Sequence, residues 1–208
     1  MIRRQPGGVV EELAAANLKH AASFLQGAYT IVLALALSEA FKQFVADSGE
    51  RNIFWDRTAS LIGFLVQIFP FFHGMSRYLF KTYLMPGVSP DDWPGYLMFD
   101  GIAFMMMSGC FFVMSRSLST DRWMRFYGSA GLLLVFDSIW IGVGLWRGVK
   151  QIEMWLYLNG VLAVGMLIAL FIWRKSEKSL GPPIMYAVFN GATTVASYYF
   201  MRNFYFST

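Results

Sequence analysis

Six long apolar runs divide the chain, and short polar segments rich in Gly, Pro and charge separate them. The runs cover about residues 21–41, 58–80, 96–115, 123–146, 152–173 and 183–204. Each is near the ~20 apolar residues that an α-helix needs to cross a bilayer. None alternates strictly with a period of two, which argues against the strands of a membrane β-barrel. The pattern predicts an all-α polytopic membrane protein, a bundle of about six transmembrane helices forming a single domain over residues 1–208. Residues 1–20 read as an N-terminal cap and helix extension. No apolar core follows Arg3 and Arg4 directly, so the start does not read as a cleaved signal peptide.

The connections are short: "ADSGERN", "MPGVSPDDWPG", "RSLSTDR", "GVKQ" and "RKSEKSLGPP". Pro182 and Pro183 stand where a helix start favours proline. Nothing repeats at a clear fixed period.

Polar positions inside the runs are more telling than the runs themselves. In the second, Ser60, Gly63, Gln67, Pro70, Gly74 and Arg77 recur every three or four residues. That spacing draws a small and polar stripe along one helix face, with His73 beside it. Small residues let membrane helices approach closely, so a packing face is one reading. The lining of a water-accessible pathway is the other. Pro70 removes a helical N–H and frees a carbonyl one turn earlier.

Helical rise gives the depth of each polar residue. In an up-and-down bundle, His73 lies about 22 Å along the second helix and Asp137 about 21 Å along the fourth. Asp100 sits in the first turns of the third helix, and Asn159 two turns into the fifth. His73, Arg77, Asp100, Asp137 and Asn159 therefore fall in the same half of the bilayer, from four helices. Ionisable residues at such depth are costly and face protein or water. An Arg77 pair with Asp100 or Asp137 would lower that cost, and His73 would sit between them. With Gln67 these residues form the candidate pathway or binding cluster. Glu39 and Lys42, at the far end of the first helix, are a candidate mouth or gate, or else interfacial anchors. Asn190, Gly191, Thr194 and Ser197 make a small polar face on the sixth helix, for packing or for lining a pore.

Composition agrees with this picture. Only 14% of the residues are charged and 56% are hydrophobic. Soluble domains carry about 25% charged residues, so this chain has too little charge to clothe a globular surface. The net charge of +4 reads as loop anchoring rather than nucleic-acid binding. Lys and Arg divide eight against nine between the two sides, which leaves orientation undecided by the positive-inside rule. The basic loops 116–125 and 174–178 read as cytoplasmic, and the loop with Asp91 and Asp92 as external. That puts both termini outside, although Arg3 and Arg4 argue the other way.

Several chemistries are absent. His20 and His73 are the only histidines and Cys110 the only cysteine, so a zinc site or bis-histidine haem has no ligand set. No phosphate loop or nucleophile elbow occurs. "MMMSGCFFVM" carries soft ligands, but consecutive methionines point around a helix and read as packing. The sequence thus predicts no metal, no cofactor and no catalytic residue.

The function expected from these features is an ion channel or small transporter in a bacterial-type inner membrane, embedded in lipid and assembled as a homo-oligomer. One alternative is an integral-membrane enzyme acting on a lipid, with His73 as general acid or base and Arg77 holding a phosphate. Another is an anchoring or signalling subunit whose loops 116–125 and 174–178 dock a soluble partner.

Overall fold

A computed structural model describes residues 6–46, 51–85, 94–118, 123–149, 152–173 and 181–206. Loop positions such as Arg3, Arg4, Asp91, Asp92, Lys150 and Lys175 lie outside the described residues, as do parts of loops 116–125 and 174–178. The described residues are almost entirely helical and contain no strand. Helix α1 is Pro6–Val45, α2 Arg51–Leu79, α3 Pro94–Ser115, α4 Trp123–Trp146, α5 Glu153–Trp173, α6 Gly181–Phe200 and α7 Arg202–Phe206.

Four described stretches, in α1 to α4, are long and apolar enough to cross a membrane: Leu13–Val45, Trp55–Leu84, Gly95–Ser115 and Met124–Trp146. α5 adds a shorter apolar stretch, Glu153–Ile168. The outward faces carry large apolar side chains, among them Phe24, Phe69, Ile139, Val164, Phe171 and Val195. A surface of this kind fits lipid better than water.

The helices pack in a ring. α1 lies against α3, α3 against α4, α4 against α5, α5 against α6, α6 against α2, and α2 back against α1. α1 turns one seam inward, with Ala22, Tyr29, Leu33, Ala36 and Ala40 buried. Their spacings of seven, four, three and four are the helical repeat that keeps one face on its neighbours. Between α2 and α3 the ring is filled by aromatic rings. Phe64 and Phe71 meet Phe111 edge-on at 6.0 and 5.4 Å, and Tyr78 meets Phe104 at 6.5 Å.

The α2 stripe faces α5 and α6. A Cβ at Gly63 would overlap the Tyr186 ring, and one at Gly74 would sit 2.8 Å from Trp155 Cζ2. Glycine is therefore required for these approaches. Pro70 has no N–H for the carbonyl of Val66, one turn earlier. Thr194 Oγ1 on α6 donates to that carbonyl at 3.2 Å. A partner helix thus satisfies the group that proline leaves bare.

Two helix ends matter for the site. α2 runs into a π-helical turn, Phe80–Leu84, closed by the Met85 N–H on the Phe80 carbonyl at 2.8 Å. This wider turn helps bring Tyr78 and Tyr83, five positions apart, to the same acceptor, Asp100 Oδ2. The end of α4 is closed at Gly148, with φ +80°. Gly148 N–H reaches the Leu145 carbonyl at 2.9 Å and Val149 N–H the Gly144 carbonyl at 3.0 Å. This is a Schellman closure, and it leaves Arg147 at the cap position.

Candidate functional site

A recess of about 540 Å3, counted with its open side, lies between α2, α4, α5 and α6. From α2 it is walled by Gln67, Pro70, Phe71, Gly74 and Met75, and from α4 by Asp137 and Trp140. α5 contributes Trp155, Leu158, Asn159 and Leu162. α6 contributes Asn190, Thr193, Thr194 and Ser197, and α7 contributes Tyr205. Three members of the α2 stripe, Gln67, Pro70 and Gly74, meet the polar face of α6 here.

Asp137 is buried, and its Oδ2 accepts from Asn159 Nδ2 at 2.7 Å. Gln67 is 1% exposed. Its Oε1 accepts from the Tyr186 hydroxyl, while its Nε2 has no partner. Thr193 Oγ1 donates to the Phe189 carbonyl at 2.9 Å, and Asn190 Nδ2 to the Tyr186 carbonyl at 2.9 Å. Trp155 Nε1 donates to the Tyr205 hydroxyl at 3.0 Å and to Ser197 Oγ at 3.3 Å. The last contacts tie α7 across one end of the recess.

Asp100 stands apart from the recess wall. It is fully buried and takes four donors. Tyr83 Oη reaches Oδ2 at 2.6 Å and Tyr78 Oη at 3.2 Å. Trp140 Nε1 reaches Oδ1 at 2.9 Å, and an Arg147 guanidinium nitrogen lies 3.4 Å from the same oxygen. Arg147 also donates to both tyrosine hydroxyls, at 3.3 and 3.1 Å, and lies over the Tyr96 ring at 3.9 Å. The cation that Asp100 requires comes from the end of α4 and not from Arg77.

Arg77 instead donates from Nε to the Phe204 carbonyl at 3.0 Å and lies 5.4 Å from the Phe80 ring centre. Lys81 reaches the Asn203 carbonyl at 3.4 Å. His73 Nδ1 is 3.1 Å from the Tyr198 hydroxyl, and its ring is tilted against Tyr205 at 4.8 Å. His73 and Arg77 therefore hold the last turns of the chain against α2. The reason is local: both face α6 and α7, which pack on that end of α2.

Of the residues singled out in the sequence, Gln67, Asp137 and Asn159 meet at the recess. Asp100 lies in the neighbouring ion-pair cluster. Glu39 lies elsewhere, bonded to Gln43 at 2.8 Å with Arg116 at 3.9 Å, and Lys42 is exposed. Sequence reasoning passed over Trp140, Trp155, Tyr205, Tyr78, Tyr83 and Arg147. Trp140 had a signal, since it follows Asp137 by three and so shares its face. Among the described residues, no group of three His, Cys, Asp or Glu is gathered to hold a metal ion.

No family model, no curated protein and no solved structure matches the chain.

Proposed function

We propose that the chain is a six-span transport protein of a bacterial-type inner membrane, with its solute site in the recess between α2, α4, α5 and α6. One observation carries the reading. Asp137, a buried carboxylate in a largely apolar helix, borders a recess with amide, hydroxyl and indole groups from four other helices. Ionisable groups at such depth mark solute and ion pathways more often than packing alone. α5 and α6 complete the set of spans in this reading. The recess is lined by residues of one chain, and the proposal places that chain in a homo-oligomer.

A carrier is favoured over an open channel because the polar groups gather around one recess rather than along the length of the bundle. The lipid-enzyme reading would use a His–carboxylate pair, whereas His73 is bonded to Tyr198. Reconstituted liposomes test the proposal. A panel of cationic, neutral and anionic small solutes is expected to include at least one that the protein carries. Asp137→Asn and Gln67→Leu are each expected to slow that flux by about tenfold or more. Flux unchanged in both variants would reject the assigned site, and no flux of any solute would reject the transport reading.

A further inference from the structure

We infer that the recess takes a small protonated amine, held by Asp137 against the indole rings of Trp140 and Trp155. The inference deepens the transport reading and rests on it for the passage of the amine, but not for its binding.

The first argument is charge. Among the described residues three carboxylates are buried, Asp56, Asp100 and Asp137, and Asp100 and Asp137 are treated differently. Asp100 has Arg147. Asp137 has one amide donor, Asn159, and no ion pair among the described residues. Among the described residues no Lys, Arg or His lines the recess. A charged carboxylate held away from water without a cation is unfavourable, and the imbalance is removed by a proton or by a cation that arrives from outside.

The second argument is the hydrogen-bond inventory. The hydroxyl protons of Thr193 and Thr194 are spent on backbone carbonyls. Asn159 and Asn190 each direct an amide proton to the protein. What these side chains have left to offer is largely acceptor oxygen. An ammonium group has three donors and no acceptor, which matches that surplus. Two indole rings border the recess, with centres 6.2 Å apart and an inclination of 31°, and indole is the aromatic side chain that attracts a cation best.

The third argument is Gln67. Its Nε2 is buried, borders the recess and has no partner. A buried donor left unmade is costly. A hydroxyl elsewhere on the amine satisfies it, so the ligand class is a hydroxylated amine with an aromatic or aliphatic body.

Two isosteric probes separate charge from shape: 4-hydroxyphenethylamine and 4-hydroxyphenethyl alcohol. Calorimetric titration into the full chain in lipid nanodiscs is expected to show the amine binding about thirtyfold or more tighter than the alcohol. Asp137→Asn is expected to abolish that preference, and Gln67→Leu to weaken both probes alike. Equal binding of the probes to the unaltered protein, no binding of either, or a preference that survives Asp137→Asn would overturn the inference. Should Asp137→Asn fail to fold, Asp137→Glu replaces it; an amine affinity unmoved by that change would overturn the inference too. In proteoliposomes, an amine that binds through Asp137 but does not cross supports the amine site and removes the carrier. A neutral solute that crosses as well as the amine keeps the carrier and overturns the amine site.

Discussion

The Trp140 indole donates to Asp100 Oδ1 at 2.9 Å, while the same residue forms part of the recess wall beside Asp137. One side chain thus joins the ion-pair cluster to the candidate binding site. The cluster fixes how the indole is turned, and the recess inherits that fixed wall. Rigid support of this kind is what a selective site requires.

The cluster itself yields the first prediction. Arg147→Met leaves Asp100 buried with no cation. It is expected to lower stability by about 3–5 kcal/mol, because the remaining charge is uncompensated. Adding Asp100→Asn to the same protein removes the charge and is expected to restore most of the loss. Thermal melts in detergent compare the single and double variants. A double variant no more stable than the single would show that charge balance is not what Arg147 supplies.

Thr194 and Pro70 give a second. Thr194→Val removes the donor to the Val66 carbonyl and is expected to cost about 0.5–1.5 kcal/mol. Pro70→Ala supplies an N–H at the position that normally serves that carbonyl. In the Pro70→Ala background the Thr194→Val cost is expected to shrink. A double-mutant cycle measures the coupling, and a coupling of zero would mean that the two groups do not share the carbonyl.

The glycine approaches can be tested against an internal control. A Cβ at position 74 would lie 2.8 Å from Trp155, whereas one at position 109 meets nothing within 4 Å. Gly74→Ala is expected to cost about 1–3 kcal/mol through overpacking. Gly109→Ala is expected to be neutral or to gain up to about 1 kcal/mol from helix propensity. Equal melting temperatures for the two variants would contradict the close contact of the Trp155 ring with Gly74.

Trp155→Phe keeps a ring but deletes the N–H shared by Tyr205 and Ser197. The expected loss is about 1 kcal/mol, felt most in α7. Amide exchange should quicken over residues 202–206 and hardly change in α3. Uniform exchange throughout the chain would show that the indole does not hold α7 in place.

Much of the helical layout was legible in hydrophobic runs, and α4 begins and ends where its run does. The reason is physical: a helix in lipid must be apolar over its whole length, so its limits are written locally. Depth along each helix also brought Asp137 and Asn159 into one neighbourhood, and the α2 stripe singled out Gln67. Rotation about each helix axis was less legible. Arg77 and Arg147 both stand near the end of their helices, yet only Arg147 reaches Asp100. That choice depends on the Gly148 closure and on α4 packing against α3, both of which are tertiary. α7 was equally hidden. It is a hook of five residues whose position is set by Arg77, Lys81 and Trp155, more than 40 positions away in every case.

The bond between Tyr186 and Gln67 spans 119 residues, and that span has a meaning for biogenesis. During synthesis α2 emerges long before α6 exists to cover it. Until then the Gln67 amide, the bare Val66 carbonyl and the Gly63 and Gly74 notches face whatever surrounds the nascent chain. The order of the ring makes α6 the closing piece, and a chain halted before residue 181 would still lack it. Such a fragment would display the polar stripe of α2 to lipid, without the helix that covers it.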